Sequence, residues 1–225
     1  MRQANQKFRV DRWKKKLPGD SDLDYIIERF PDGLGRSNLT SIAEEAAKNR
    51  NAEHYRRLFL ASMIWGFGGD REDTIDNRGP WRTQQITRNA NPDFNEILKY
   101  ASDVMLEGRI GEAYDLFKKV KWCGPAFFTK YLYFLGRGAD KCRYPLILDT
   151  KVAKWLETLL GKDKLRQFVR VERNKKQEIS SVLRGVGEEY EKYLDLMREW
   201  ARKLGCAPDD IECFLYSTRL DSLDH

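Results

Sequence analysis

Histidine is almost missing from this chain: its 225 residues include only two, His54 and the terminal His225. The four cysteines stand far apart, at Cys123, Cys142, Cys206 and Cys213. A tetrahedral zinc site therefore lacks ligands. Cys206 and Cys213 have a spacing that opens one kind of iron–sulfur motif, yet the two further ligands should follow within a few residues and do not. No metal is expected, and the thiols read as unpaired core cysteines of a reducing compartment. His54 lies on a polar helical stretch and reads as structural. A long hydrophobic run is also missing. The apolar stretch from Leu58 to Phe67 is too short to span a bilayer, and no signal peptide opens the chain. There is no low-complexity tract, internal repeat or Pro/Gly/Ser-rich linker, and no alternating pattern long enough for a large sheet. These absences speak against a membrane-spanning helix, a zinc or iron–sulfur site and a β-rich fold. They leave a soluble, cytoplasmic, mostly α protein, expected to be a monomer.

What is present has helical periodicity. Tyr190, Tyr193, Leu194, Met197, Trp200, Ala201 and Leu204 form one stripe, and Ser41 with Glu44 reads as a capping box. Forty-one Lys and Arg against 35 Asp and Glu leave a net charge of +6, which suits a polyanionic partner. The basic residues crowd into two stretches, Arg2 to Lys16 and Lys162 to Lys176. A charge run is most often a solvated face, and phosphate contact is expected for at least one of the two.

The most informative stretch begins where Ile110, Ala113, Tyr114, Phe117 and Val120 share one helical face. Lys121-Trp122-Cys123-Gly124-Pro125-Ala126 then breaks the helix and starts another. Gly124 is expected to take a backbone conformation closed to residues with a Cβ, and Pro125 suits the first turn of the new helix. The unpaired N–H groups at that helix start make an anion site suited to a DNA phosphate. Such a contact positions a duplex without reading its sequence. Next comes Pro145-Leu146-Ile147-Leu148-Asp149, an extended apolar run ending in one acid at the mouth of a third helix. As an N-cap, Asp149 accepts backbone N–H groups and is favoured in its ionised form. A carboxylate fixed in this way also stabilises an oxocarbenium-like sugar cation and orients a water.

Residues Trp65 to Arg82 read as an ordered loop that mixes glycines with Trp65, Phe67, Asn77, Arg78, Trp81 and Arg82. Enzymes that extrude a base need side chains that fill the vacated stack, aromatic faces for the base and donors for its partner. As a group these six residues are the expected base pocket or wedge.

The hairpin, the Asp149 run, Ile64-Trp65-Gly66-Phe67-Gly68 and the late Asp210-Ile211-Glu212-Cys213-Phe214-Leu215 resemble the helix-hairpin-helix (HhH-GPD) DNA glycosylases. Within them, the chain is similar to a bacterial 8-oxoguanine-glycosylase-fold branch, some members of which are implicated in defence against phages with hypermodified bases. The resemblance implies one domain over 1–225, with two helical lobes flanking a cleft. A hairpin lobe would cover 85–160, and a second lobe 20–84 plus 161–225. It implies double-stranded DNA as partner, held at Trp122, Cys123, Gly124, Pro125 and Ala126. No cofactor is implied, apart from a monovalent cation that similar hairpins hold between their carbonyls and the phosphate. The usual hairpin has two glycines, and Trp122 stands at the first.

Asp149 is the catalytic carboxylate that the resemblance implies. Bifunctional members place a nucleophilic lysine two residues beyond the second hairpin glycine, where this chain has Ala126. Lys130 lies one turn further on the same face, nineteen residues before Asp149, a spacing similar to that of nucleophile and carboxylate in 8-oxoguanine glycosylases. One alignment makes Lys130 the nucleophile. The other makes the enzyme monofunctional, with Lys130 acting electrostatically. The implied activity is excision of a modified or damaged base, with a hypermodified phage base in antiviral defence as the first reading and an 8-oxoguanine repair glycosylase with lyase activity as the alternative. The alternative of another class is a non-catalytic module that reads DNA structure.

Overall fold

The computed structural model describes residues 6–67, 78–140 and 142–218. Asn77 and His225 lie outside the described residues. Among those described there are twelve α-helices and one two-stranded sheet, in agreement with a mostly α fold. None of these helices is long and apolar enough to cross a membrane.

The N-terminal third comprises α1 (Val10–Lys16), α2 (Ser21–Arg29), α3 (Arg36–Asn49) and α4 (Ala52–Gly66). Helix α3 begins at Arg36, where the Gly35 N–H donates to the Asn38 side chain at 2.8 Å. The expected capping box at Ser41 and Glu44 therefore falls inside the helix. Asn38 already supplies the reciprocal bond at the true start, and the Ser41 hydroxyl instead accepts from Arg29. Asn51 caps α4 through the His54 N–H, which leaves His54 in a structural role.

The central helices are α5 (Arg78–Gln84), continued by a π-helical turn over Gln85–Asn89, then α6 (Phe94–Leu106), α7 (Ile110–Phe117) and α8 (Pro125–Gly138). The segment from Trp65 to Arg82 is thus not one loop. Trp65 and Gly66 close α4, and Arg78 to Arg82 belong to α5. The sequence is turn-rich there, but the α4 apolar periodicity runs on through Met63, Ile64 and Trp65, all buried. Helix α8 packs closely on α3: a Cβ at Gly138 would lie 2.3 Å from the Ala43 carbonyl carbon, so only glycine fits at this crossing.

The last third runs through α9 (Thr150–Leu160), α10 (Lys162–Leu165), β1 (Val171–Arg173), β2 (Ile179–Val182), α11 (Gly187–Leu204) and α12 (Pro208–Ser217). β1 and β2 pair antiparallel. The α11 stripe is buried at Tyr190, Tyr193, Leu194, Met197 and Ala201, while Leu204, the last residue of the helix, is 72% exposed. In the second basic stretch, Arg166 pairs with Asp163, Arg170 with Glu189 and Arg173 with Glu157.

Two α11 tyrosines position the site. The run Pro145–Leu148 is extended without a sheet partner, so its buried backbone needs hydrogen bonds from side chains. The Tyr190 hydroxyl donates to the Leu146 carbonyl at 2.6 Å and Tyr193 to the Ile147 carbonyl at 2.8 Å. From α8, the Thr129 hydroxyl accepts the Leu148 N–H at 3.1 Å. The residue that follows, Asp149, is thereby held against α8.

Candidate active site

Asp149 caps α9 through one oxygen, Oδ1, which accepts from the Lys151 N–H at 3.0 Å and the Val152 N–H at 3.1 Å. The other oxygen, Oδ2, lies 3.9 Å from Lys130 Nζ. Both residues are almost fully buried. Lys130 Nζ also donates to the Ala126 carbonyl at 2.6 Å, which fixes the head of an otherwise flexible chain. Burial holds the ammonium below the ordinary lysine pKa, and Asp149 and Glu212 only partly offset this. A lysine shifted in that direction is closer to the free amine that attacks carbon.

The pair lines a cavity of about 110 Å³ that also touches Gln6, Arg36, Trp65, Phe67, Glu212 and Tyr216. Five buried side-chain atoms among the described residues have no hydrogen-bond partner, and three belong to this wall: Gln6 Oε1, Trp65 Nε1 and Glu212 Oε2. Each such atom costs about 1–3 kcal/mol. Their concentration around one cavity, two acceptors and one donor, marks a place where a polar ligand completes the bonding.

Glu212 is 1% exposed, and burial, opposed by Arg36, pushes its carboxyl up to about 7. Arg36 approaches it at 3.8 Å, donates to the Tyr133 hydroxyl and lies over the Trp65 ring. Because the folded pKa is raised above the ordinary 4.5, the associated stability is complete below about pH 4.5 and is lost as pH rises through about 7. Glu212→Gln is expected to remove this loss. It should melt higher than the parent at pH 8, by up to about 3 kcal/mol, and near it at pH 5. Melts that respond to pH identically in both proteins would refute the assignment.

Sequence reasoning singled out Lys130, Asp149, Trp65 and Phe67, and the fold brings these four to one cavity. It did not single out Gln6, Arg36, Glu212 or Tyr216 as site residues. Glu212 had a readable mark: it stands next to Ile211 and one turn before Tyr216, a carboxylate on the packed face of α12.

Trp81 and Arg82 lie elsewhere. Trp81 meets Trp122 edge-on at 5.1 Å, and the Arg82 guanidinium sits over Phe127 at 5.1 Å. Arg82, Trp122, Gly124, Pro125, Ala126 and Phe127 line a second, open groove of about 450 Å³ at the start of α8. Phe127 separates the two sites, since it also stacks on Phe67 at 4.7 Å. Arg78 starts α5 and lines neither.

The expected conformation of Gly124 is overturned. Its φ is −79°, open to any residue, and the left-handed position is Trp122 with φ +68°. The turn still needs one left-handed residue, and it falls two positions earlier, at a site where a side chain is strained. The space before Gly124 is open, with no heavy atom within 4 Å of where a Cβ would stand. Cys123 is fully buried, and burial pushes its thiol up to about 12, so it packs and does not react. All four cysteines are free thiols, but only Cys123 is a core residue: Cys142 and Cys206 are exposed and Cys213 is half-buried. The carbonyls of this turn do not fit a bound monovalent ion, because those of Lys118, Val120 and Cys123 accept hydrogen bonds from the Arg184 guanidinium.

Compared with models of known protein families, residues 1–216 match one described as "Putative 8-oxoguanine DNA glycosylase OGG-like protein". The chain belongs to this OGG-like family. Comparison with curated proteins and with solved structures gave no match. The family match spans both the Lys130–Asp149 cavity and the groove at the start of α8.

Proposed function

We propose that this OGG-like chain is a DNA N-glycosylase with lyase activity that extrudes an oxidised purine, 8-oxoguanine being the first candidate, and cleaves its glycosidic bond. The observation that carries the reading is the Lys130–Asp149 pair at 3.9 Å, set in a cavity with three buried polar atoms that make no hydrogen bond. A module that only bound DNA would need neither a buried lysine nor a ligand-sized void beside it.

In this reading the duplex lies along the groove at the start of α8, and the extruded base enters the cavity past Phe127. Trp65, Phe67 and Tyr216 offer aromatic faces, while Gln6, Trp65 and Glu212 offer the polar atoms that a base edge satisfies. Near neutral pH the Glu212 carboxyl is able both to donate and to accept. Lys130, as the amine, adds its nitrogen lone pair to the sugar C1′ while the C1′–N bond breaks. The electron pair leaves with the base, which is then protonated. Asp149 stabilises the positive charge that builds on the sugar ring. The Lys130 nitrogen, having given one proton to the departing base, gives its second to O4′ as the ring C1′–O4′ bond breaks and a C1′=N Schiff base forms; loss of a C2′ proton then breaks the C3′–O bond and releases the 3′ phosphate.

In this reading residues 85–160 supply the hairpin, Lys130 and Asp149, and Arg36, Trp65 and Glu212 come from the rest of the chain. The family description names 8-oxoguanine, which sets it ahead of a hypermodified phage base.

The test is to incubate the protein with duplexes carrying 8-oxoguanine, plain guanine or a glucosylated pyrimidine and to identify released bases by mass spectrometry. Release of 8-oxoguanine alone is expected. Release of the glucosylated base alone would move the chain to phage defence, and release of nothing from any DNA would leave only the binding-module reading.

A further inference from the structure

An arginine from outside the α7–α8 turn bonds it together. Arg184, two residues after β2, donates from Nη1 to the Lys118 carbonyl at 3.2 Å. Its Nη2 donates to the Val120 carbonyl at 2.5 Å and the Cys123 carbonyl at 3.2 Å. Three main-chain oxygens that converge on one point make a cage for positive charge. Here the charge that fills it is covalently attached to the chain.

The guanidinium also faces the groove. A guanidinium has five N–H groups, and three are used on these carbonyls, which leaves two. Arg184 lines the groove together with Gly124, Ala126, Thr150 and Arg82. Arg82 Nε is buried with no partner among the described residues. Ala126 is the first residue of α8 with an N–H, one of the orphan donors of a helix start. The open space before Gly124 lets an anion come close to that backbone.

We infer that the Arg184 guanidinium is the built-in cation of this hairpin: it takes the place of a bound monovalent ion and, with Arg82 and the first N–H of α8, holds one phosphate of the DNA backbone. The inference rests on the DNA-binding part of the proposed function. A planar guanidinium matches phosphate geometry, and its occupancy does not depend on the salt present. An ion held by the same three carbonyls would be lost when Na⁺ and K⁺ are withdrawn.

The experiment measures duplex affinity by fluorescence anisotropy at fixed ionic strength, with K⁺ or Na⁺ replaced by tetramethylammonium, an ion too large for a carbonyl cage. The parent protein is expected to change by less than about twofold, because its hairpin cation is Arg184. Arg184→Ala is expected to bind about tenfold more weakly in tetramethylammonium. It should regain part of that affinity in K⁺ or Na⁺, as the vacated carbonyls accept an ion. Parent affinity that collapses in tetramethylammonium overturns the inference, and so does full affinity of Arg184→Ala in that salt. Should Arg184→Ala not fold, the salt exchange on the parent protein decides alone. Base release measured in parallel separates the two readings. Excision that requires K⁺ or Na⁺ defeats this inference and leaves the glycosylase standing, whereas salt-indifferent binding with no base released defeats the glycosylase and leaves this inference standing.

Discussion

Asp149→Asn is expected to fold and to bind duplex DNA as tightly as the parent, while base release falls by about three orders of magnitude. Asn is as good an N-cap as Asp, and its carbonyl oxygen is able to keep the bonds to the Lys151 and Val152 N–H groups at 3.0 and 3.1 Å. The loss is confined to the face turned toward Lys130. There an uncharged amide replaces Oδ2, 3.9 Å from Nζ, and no longer stabilises positive charge on the sugar. Single-turnover excision, with melting and anisotropy as controls, separates the outcomes. Excision by the folded variant within about tenfold of the parent would remove Asp149 from the chemistry.

Lys130→Gln carries the second large effect. Borohydride should trap a protein–DNA adduct with the parent and none with the variant, and strand nicking should vanish with it. The pH dependence has a definite sign. Burial lowers the Lys130 pKa, so the reactive amine fraction grows as pH rises, with a midpoint below the ordinary lysine value. Trapping rate should therefore climb with pH and reach its half-maximum below that of an ordinary lysine. An adduct that persists in Lys130→Gln, or intact abasic sites that accumulate with the parent until alkali is added, would instead make water the nucleophile. Ala126 at the position where bifunctional relatives carry lysine is the feature that such a result would explain.

Much of the Lys130–Asp149 half of the candidate site was legible because it is local. The Gly124-Pro125 break, the apolar run into Asp149 and the spacing to Lys130 all lie within 30 residues. Secondary structure alone decides which way Lys130 leaves α8 and which N–H groups Asp149 caps. The α11 stripe was legible for the same reason, although the use of Tyr190 and Tyr193 to satisfy an unpaired strand was not.

The misreadings share one cause. Glycines and aromatics between Trp65 and Arg82 suggest a loop, but packing of α4 against α8, with Trp65 edge-on to Phe134 at 5.2 Å, extends the helix through Trp65. Composition placed the left-handed residue of the hairpin at Gly124, and the chain places it at Trp122, where the Trp81 contact and the Arg184 bonds hold the turn.

The sequence by itself determined a mostly helical chain, a break at Gly124-Pro125 between two helices, and a carboxylate fixed at a helix mouth behind it. These follow from periodicity, capping and backbone freedom, which act over a few residues. Only the tertiary structure decided the opposite wall of the cavity and the charge inside the hairpin. Gln6, Arg36, Glu212 and Arg184 reach the segment from Gly124 to Asp149 from 30 to 120 residues away. Their roles arise from burial: low dielectric raises Glu212, lowers Lys130 and leaves Gln6, Trp65 and Glu212 with unmade hydrogen bonds, and none of these is a property of neighbouring residues in a chain.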